Sequence, residues 1–308
     1  MEIVGLGSYA MDVMIQVNEF PKEDGFVVVT GTTYVPGGSG TNVIVQSARL
    51  GAETGFLAKI GDDSLGKDII ASMKSEGLDT SALVIKEGGT SLSTTIVVDP
   101  VGKKFIMLNI GDSFVDYGIS DVNLDFIKSA KVFYTDLFPG QTAIDVLKEA
   151  KRAGLTTAVN MQSAMGTMSG FGFTNETVLD TLQYCDFFGP CALGALDLTG
   201  TDVPDAQHDF FRKYFRGTLL LTRGTGGSIA WDENDNRYEV PIFNVKAIDT
   251  TGAGDAYMGA MLKYYLLDKK PLQEAMRYAT ACSAICCTKL GARSGPSEPE
   301  LLEFLSKN

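Results

Sequence analysis

Histidine is nearly absent: the 308 residues contain one, His208, and one tryptophan. A mechanism built on a histidine base, or on several histidine ligands, would rest on that single ring. His208 lies in DAQHDFFRKYF, a polar-to-aromatic helical stretch where a surface or capping role is expected. Catalytic chemistry is therefore sought among carboxylates. Cysteine is scarce as well. The five are Cys185, Cys191, Cys282, Cys286 and Cys287, odd in number and confined to the second half. That usage points to a reduced, cytoplasmic chain rather than a disulfide framework. Cys282 and Cys286 stand four apart on a helical stretch, and small buried core residues are preferred there over a soft-metal site. Long apolar runs are missing. None approaches the roughly 18 residues that a membrane helix needs, so no membrane partner is expected. The opening MEIVGLGSY has no basic segment leading into an apolar one, so no signal peptide is expected. Positive charge is in deficit: 26 Lys and Arg against 38 Asp and Glu leave a net charge of -12. A field of that sign repels polyphosphate backbones and argues against nucleic acid as a partner. It leaves room for one small anion, because a helix N-terminus or a bound cation reverses the sign locally.

What is present is an ordinary globular composition, 44% hydrophobic and 21% charged, with ample material for a core. Strand-like segments at 2–7, 54–60, 131–137, 156–161, 185–188 and 218–222 alternate with helical patterns at 41–50, 64–76, 142–153, 253–267, 272–289 and 299–307. Several of the strands are short apolar runs without alternation, as expected where both faces are covered. Gly51, Gly77, Gly154 and Gly291 follow helix ends, where a left-handed residue is wanted. Ser297 and Glu300 form an S-x-x-E capping box for the last helix. This alternation predicts an α/β fold with a parallel sheet between helices. Two regions break the rhythm, at about 12–35 and 90–110. They read as strands only: VMIQV, FVVVTGTTYV, STTIVVD and KKFIMLNI. Either they form a small separate sheet acting as a lid, or they are edge hairpins with no moving part.

The segment that carries chemistry is Asp249-Thr250-Thr251-Gly252-Ala253-Gly254-Asp255-Ala256-Tyr257-Met258-Gly259-Ala260. It follows a strand-like run and opens an apolar helix. Gly252 and Gly254 allow close backbone approach and bare amides, an anion cradle reinforced by the helix dipole. Asp255 stands in the first turn. Two readings are open for it: an acid complementing the dipole, or a general base that takes a hydroxyl proton while the cradle holds a phosphoryl group.

DTTGAGDAYMGA resembles the C-terminal signature of the ribokinase/PfkB carbohydrate kinases, roughly D-T-x-G-A-G-D. The N-terminal signature is matched by GGSGTN at 37–42 and by VIVQSARLGAETGFLAKIGDDSLG after it. Two signatures in the right order are a specific match, and the resemblance runs from GLGSYAMD to GARSGPS. It implies a single ribokinase-like domain over 1–308, with a Rossmann-type three-layer core and a small β-sheet lid. It implies a kinase that uses ATP and Mg²⁺ to phosphorylate a hydroxyl of a sugar or sugar-like acceptor. Asp255 matches the family's catalytic base, and Gly252, Ala253 and Gly254 its anion hole. Asp12, Gly38 and Asn42 match the groups that hold the sugar. Thr222, Gly224 and Thr250 match the border of the nucleotide site. Arg223 is an added cation there, meeting either a phosphate or solvent. A monovalent cation such as K⁺ near the anion-hole loop is common in the family, with Asp249 a candidate contact. A homodimer through the lid is implied in the same way.

The pattern fails at one place. The family's N-x-x-E motif, whose glutamate organises Mg²⁺ through water, aligns with Cys191 and Gly194 in CDFFGPCALGALDLTG. Asp186 and Asp197 lie nearby but not at the matching position. Loss of that acid is survivable, since the ion needs only one or two carboxylates besides phosphate oxygens, but weaker Mg²⁺ binding is expected. At Ala10, a polar contact to the sugar is missing. The competing readings are a weakened or non-catalytic sugar or nucleotide sensor, and a nucleoside kinase whose lid aromatics (Phe26, Tyr34, Phe105) stack on a base.

Overall fold

The computed structural model describes residues 1–308. Its main sheet has eight strands in the order Arg237–Val240, Ser228–Trp231, Thr218–Thr222, Phe187–Pro190, Thr156–Met161, Val132–Thr135, Ile3–Leu6, Thr54–Leu57. The six from Thr218–Thr222 to Thr54–Leu57 are parallel, and the other two add an antiparallel hairpin at one edge. Ile3–Leu6, Thr54–Leu57, Val132–Thr135 and Phe187–Pro190 are buried along their whole length, which explains their unalternating apolar sequences. Helices Ser39–Arg49, Ala253–Ala260, Leu272–Cys287 and Glu298–Lys307 pack against one another in one layer. Gln141–Arg152 packs on the strands Val132–Thr135 and Thr156–Met161. One hydrophobic cluster runs through the molecule and includes the buried Cys282 and Cys286.

A second sheet has four strands in the order Val29–Gly37, Ala10–Val17, Ser93–Val98, Lys104–Asn109. Register sorts its side chains. Asp12 lies opposite Thr94 and Val35, and Thr94 opposite Leu108, so these share a face with Met14, Ile96, Ile106 and Lys104. Tyr34, Met107 and Phe105 lie on the other face, in register with Val13, Thr95 and Val97. The strand Val29–Gly37 passes into the helix Ser39–Arg49 through one residue, Gly38, at φ 86°. A side chain at Gly38 would put its Cβ 2.3 Å from the Cα of Tyr9, so only glycine fits.

Several elements differ from the sequence pattern. The run at 54–60 is two strands in two sheets, because Lys59–Gly61 leaves the main sheet to pair with Val84–Lys86. The strand expected at 185–188 is Phe187–Pro190. The helix expected at 253–267 is α-helical only to Ala260, and Met261–Leu267 is wound as a π-helix. His208 is not at the surface. It is buried, stacked on Trp231 with ring centroids 4.8 Å apart, and its Nε2 lies 3.0 Å from Asp235. The apolar ring of Trp231 on the edge hairpin draws it inward, a partner invisible in the local helix pattern.

Candidate active site

The helix Ala253–Ala260 begins at Gly252, which holds φ 80°. A Cβ on Gly252 would fall 2.0 Å from the carbonyl oxygen of Ala292, so the loop at 249–252 presses directly on the loop at 288–294. Asp249 ties the two together. Its carboxylate accepts from the Thr251 amide at 3.0 Å, the Thr251 hydroxyl at 2.7 Å and the Gly291 amide at 2.9 Å. Burial pushes this carboxyl up, but the Gly291 and Thr251 donors and the nearby positive charge of Lys104 outweigh it, and it lies below its ordinary range. Ala253 donates its amide to Thr250. The amides of Gly252, Gly254 and Asp255 have no acceptor in the chain. A Cβ on Gly254 would meet nothing within 4 Å. Three free donors at a helix N-terminus beside open space make an anion cradle.

Asp255, in the first turn, is buried. Asn42 donates to its Oδ2 at 2.9 Å, Gln162 to its Oδ1 at 3.2 Å, and Ser39 also donates to Oδ1. Burial pushes the Asp255 carboxyl above the usual carboxylate range, against the pull of those three donors and of the Arg293 charge. Asn42 is itself oriented, since Arg293 Nε donates to its Oδ1 at 2.8 Å. The same guanidinium donates to Ser72, Gly37 and Thr41, which crosses from the 288–294 loop to the start of the helix Ser39–Arg49. Its own pKa is lowered to about 10 by burial. Below this helix start, fully buried Asp136 accepts from the Ser8 amide at 3.0 Å, the Ser8 hydroxyl at 2.6 Å and the Phe138 amide at 3.1 Å. Ser8 in turn accepts from the Gly40 amide at 3.0 Å.

The residues singled out in sequence fall into three groups. Gly38, Asn42, Gly252, Ala253, Gly254 and Asp255 converge on one site. Asp12 stands on the small sheet facing it. Thr94 donates to Asp12, and the Asp12 charge reaches Arg293. Thr222, Gly224 and Thr250 line a cleft of about 490 Å³ that continues from Ala253 and Gly254. Arg223 does not line this cleft: its Nη2 is engaged by Glu239 and the Gly226 carbonyl, both at 2.8 Å. Ser39, Gln162 and Arg293 carried no separate signal. Ser39 stands inside GGSGTN and Arg293 inside GARSG, whereas Gln162 becomes visible only when the strand Thr156–Met161 brings it opposite Asp255.

Residues for a protein-held Mg²⁺ do not fit. No three His, Cys, Asp or Glu side chains converge in the chain. Cys191 caps the helix Ala192–Thr199, its sulfur accepting from the Gly194 amide at 3.3 Å. A Cβ on Gly194 would fall 2.9 Å from the Met161 methyl carbon and 3.1 Å from the Ser163 carbonyl, so a side chain there would require the Met161 tip to move aside. Asp197 is turned to the Met165 amide at 2.8 Å. The aromatics suited to base stacking are also misplaced. Tyr34 and Phe105 lie on the face of the small sheet opposite Asp12, and Phe105 packs on Phe20.

Residues 2–300 match the pfkB family carbohydrate kinases. The chain is 31% identical to fructokinase-1 of Oryza sativa subsp. japonica over 290 residues, covering 88% of each. It is 27% identical to the deoxyribokinase of Salmonella typhi over 318 residues, covering both chains fully. In three dimensions it resembles the Arabidopsis thaliana ribokinase solved with ribose and ATP. The TM-score is 0.85 at 21% identity, over 99% of this chain and 98% of that one. No helix is long and apolar enough to cross a membrane.

Proposed function

The chain belongs to the pfkB family of carbohydrate kinases, and from that membership we propose that Asp255 is the base of its phosphoryl transfer. The donor is ATP, seated in the cleft bordered by Thr222, Gly224 and Thr250 with its terminal phosphate at the Gly252–Asp255 amides. The acceptor is a sugar, a reading supported by the fructokinase and deoxyribokinase relatives and by the ribose in the Arabidopsis neighbour. It lies between Asp255 and the small sheet, which acts as a lid, with Asp12, Gly38 and Asn42 against its hydroxyls.

The observation that carries this reading is a buried carboxylate beside three unsatisfied amides. An acid placed at an anion site opposes anion binding unless a proton has to be removed there. Burial raises the basicity of Asp255, while Ser39, Asn42 and Gln162 hold both oxygens in place until an acceptor hydroxyl arrives. As the acceptor oxygen bonds to the γ-phosphorus, the bond from that phosphorus to the β–γ bridging oxygen breaks, the bonding electrons leave with ADP, and the acceptor proton passes to Asp255. The free amides meet charge on the phosphoryl oxygens, and positioning with electrostatics supplies most of the rate. A Mg²⁺ ion, which neutralises phosphate charge when bound, would arrive and leave with the triphosphate, held by its oxygens and by water. Asp249, at the junction of the two loops, is the contact for a monovalent cation.

ADP release measured over a panel of sugars, sugar phosphates and nucleosides tests the reading. Turnover is expected with at least one sugar, and Asp255→Asn should lower it about 100-fold or more while ATP still binds. Retention of more than about a tenth of the wild-type rate would remove Asp255 from the role of base.

A further inference from the structure

The site lies at the carboxyl ends of two neighbouring parallel strands that the chain leaves in opposite directions. From Ile3–Leu6 it passes to Thr54–Leu57 on one side, and from Val132–Thr135 to Thr156–Met161 on the other. The crevice outside such a switch is where an open α/β sheet receives its ligand. A carboxylate fills the floor of this crevice. Asp136 follows the last residue of Val132–Thr135 and is fully buried. Ser8, two residues past Leu6, faces it. Burying a charge is costly, and an apolar side chain would close the gap without that cost. The surroundings nevertheless follow the outline of the carboxylate. A Cβ on Gly7 would fall 2.6 Å from its Oδ1, and a Cβ on Gly40 2.9 Å from its Oδ2.

The bonds of Asp136 run to the helix that carries the donors of the base. The helix Ser39–Arg49 begins after Gly38, which has no side chain to cap it. Its first-turn amides are capped from another strand instead. Gly40 donates to the Ser8 hydroxyl oxygen and Thr41 to the Ser8 carbonyl, both at 3.0 Å. An ionised carboxylate only accepts. Asp136 therefore draws the Ser8 O–H toward its own Oδ2, at 2.6 Å, and leaves an oxygen lone pair for Gly40. The Ser8 and Phe138 amides donate to Asp136 in turn and fix the carboxylate itself. Ser39 and Asn42, on either side of the capped amides, are donors to Asp255.

We propose that Asp136 is a positioning residue for the phosphoryl transfer: through Ser8 it sets the seat of the helix Ser39–Arg49, and with it the aim of Ser39 and Asn42 at Asp255. This rests on the reading of Asp255 as the base. Asp136 touches neither substrate, since none of it is exposed, and it exchanges no proton with the acceptor. Its effect falls on the chemical step. A displaced helix start lets the Asp255 oxygens swing off the line of the acceptor hydroxyl, and rate depends steeply on that alignment. The cleft residues Thr222, Gly224 and Thr250 make no bond to Asp136 or Ser8, so ATP binding is left as it was.

The test uses Ser8→Ala, which breaks the link to Gly40 and leaves Asp136 its two amide donors, and Asp136→Asn, which turns an acceptor into a donor facing Ser8 or Phe138. Each is made alone and together with Ser39→Ala. Initial rates well below each variant's melting temperature give kcat and KM for both substrates. Ser8→Ala and Asp136→Asn should each lower kcat about 10-fold or more, with KM for ATP within about twofold of wild type. In the Ser39→Ala background each penalty should shrink about threefold or more, because a contact through which it acts is already gone. Penalties that multiply unchanged with Ser39→Ala overturn the proposal and assign Asp136 to the fold at large. A kcat for Ser8→Ala within about threefold of wild type overturns it too, as does a loss carried by KM for ATP. If Asp136→Asn fails to fold, Ser8→Ala alone decides. Asp255→Asn, run alongside, separates the two claims. An inactive Asp255 variant with an unimpaired Ser8→Ala rejects the positioning role alone. An active Asp255 variant rejects the base, and the positioning role with it.

Discussion

Two buried carboxyls lie within one electrostatic neighbourhood, and they differ in task. Asp255 faces the site, whereas Asp136 is sealed beneath it, against Gly7 and Gly40. Burial pushes Asp136 up to about 6, against the donors from Ser8 and Phe138, and the Asp255 charge adds to the rise. The sign for stability follows from linkage. An aspartate near 3.8 in the unfolded chain and near 6 in the folded one favours folding while protonated. That contribution is complete below about pH 4 and lost as pH rises through about 6, a span of about 3 kcal/mol. The melting temperature is therefore expected to fall between pH 5 and 7, and Asp136→Asn should flatten that fall. Parallel pH profiles for the two proteins would contradict it. Legibility at this scale depended on whether a residue's partners were local. Asp255 and Asn42 sit in compact motifs that name their chemistry. Gln162 and Arg293 reach Asp255 and Asn42 across 93 and 251 positions of chain, and no window of sequence contains those pairs. Arg223 shows the converse: adjacency to the TRGTGG turn left a phosphate or solvent as its partner, but Glu239 on the edge strand Arg237–Val240 holds it.

Among the elements, the loops at 249–252 and 288–294 decide how rigid the anion cradle is. Gly252 against Ala292 leaves no slack, and Asp249 bridges to the Gly291 amide. A monovalent cation at Asp249 would brace this junction and keep the free amides aimed. Replacing K⁺ by tetramethylammonium is then expected to lower kcat several-fold, and Asp249→Ala should abolish the response to K⁺. Equal rates in both salts would exclude the cation. The elements themselves were legible where one period persisted. The unalternating runs at 156–161 and 218–222 form strands over those same residues. The apolar run at 253–267 has a helical period throughout, and nothing in it distinguishes α from π winding. The run at 54–60 looks continuous because both halves are apolar, and only the competing pair Val84–Lys86 divides it. The strand-like run before Asp249, YEVPIFNVKAI, is strand only at its start, in Arg237–Val240, and its hairpin partner Ser228–Trp231 was passed over despite the turn-rich DENDN between them, because it has four residues.

At the scale of the whole molecule, the small sheet has two faces with different futures. One carries Asp12 and Lys104. The other exposes Tyr34 at 56%, Met107 at 53% and Phe105 at 44%, an apolar patch of the kind that marks a partner surface. A homodimer joined through this face is the expected solution state. Sedimentation velocity should give twice the chain mass at micromolar concentration, and Met107→Glu should shift it to monomer. A monomeric wild-type chain at tens of micromolar would refute the dimer. The alternation of strands and helices announced the large sheet, and the two stretches without helix announced a second one. Which face of that sheet looks inward could be settled only by register, which no single strand contains. One further property follows from the way this sheet is joined to the body. The strand Val29–Gly37 becomes the helix Ser39–Arg49 across Gly38 alone, and Ser39 and Asn42 at the head of that helix are the donors to Asp255. The strand is thus a lever whose fulcrum is a single residue. Were the strand to tilt over a sugar, the motion would meet the helix at Gly38, next to Ser39, so arrival of cargo would be felt first by a donor to the base.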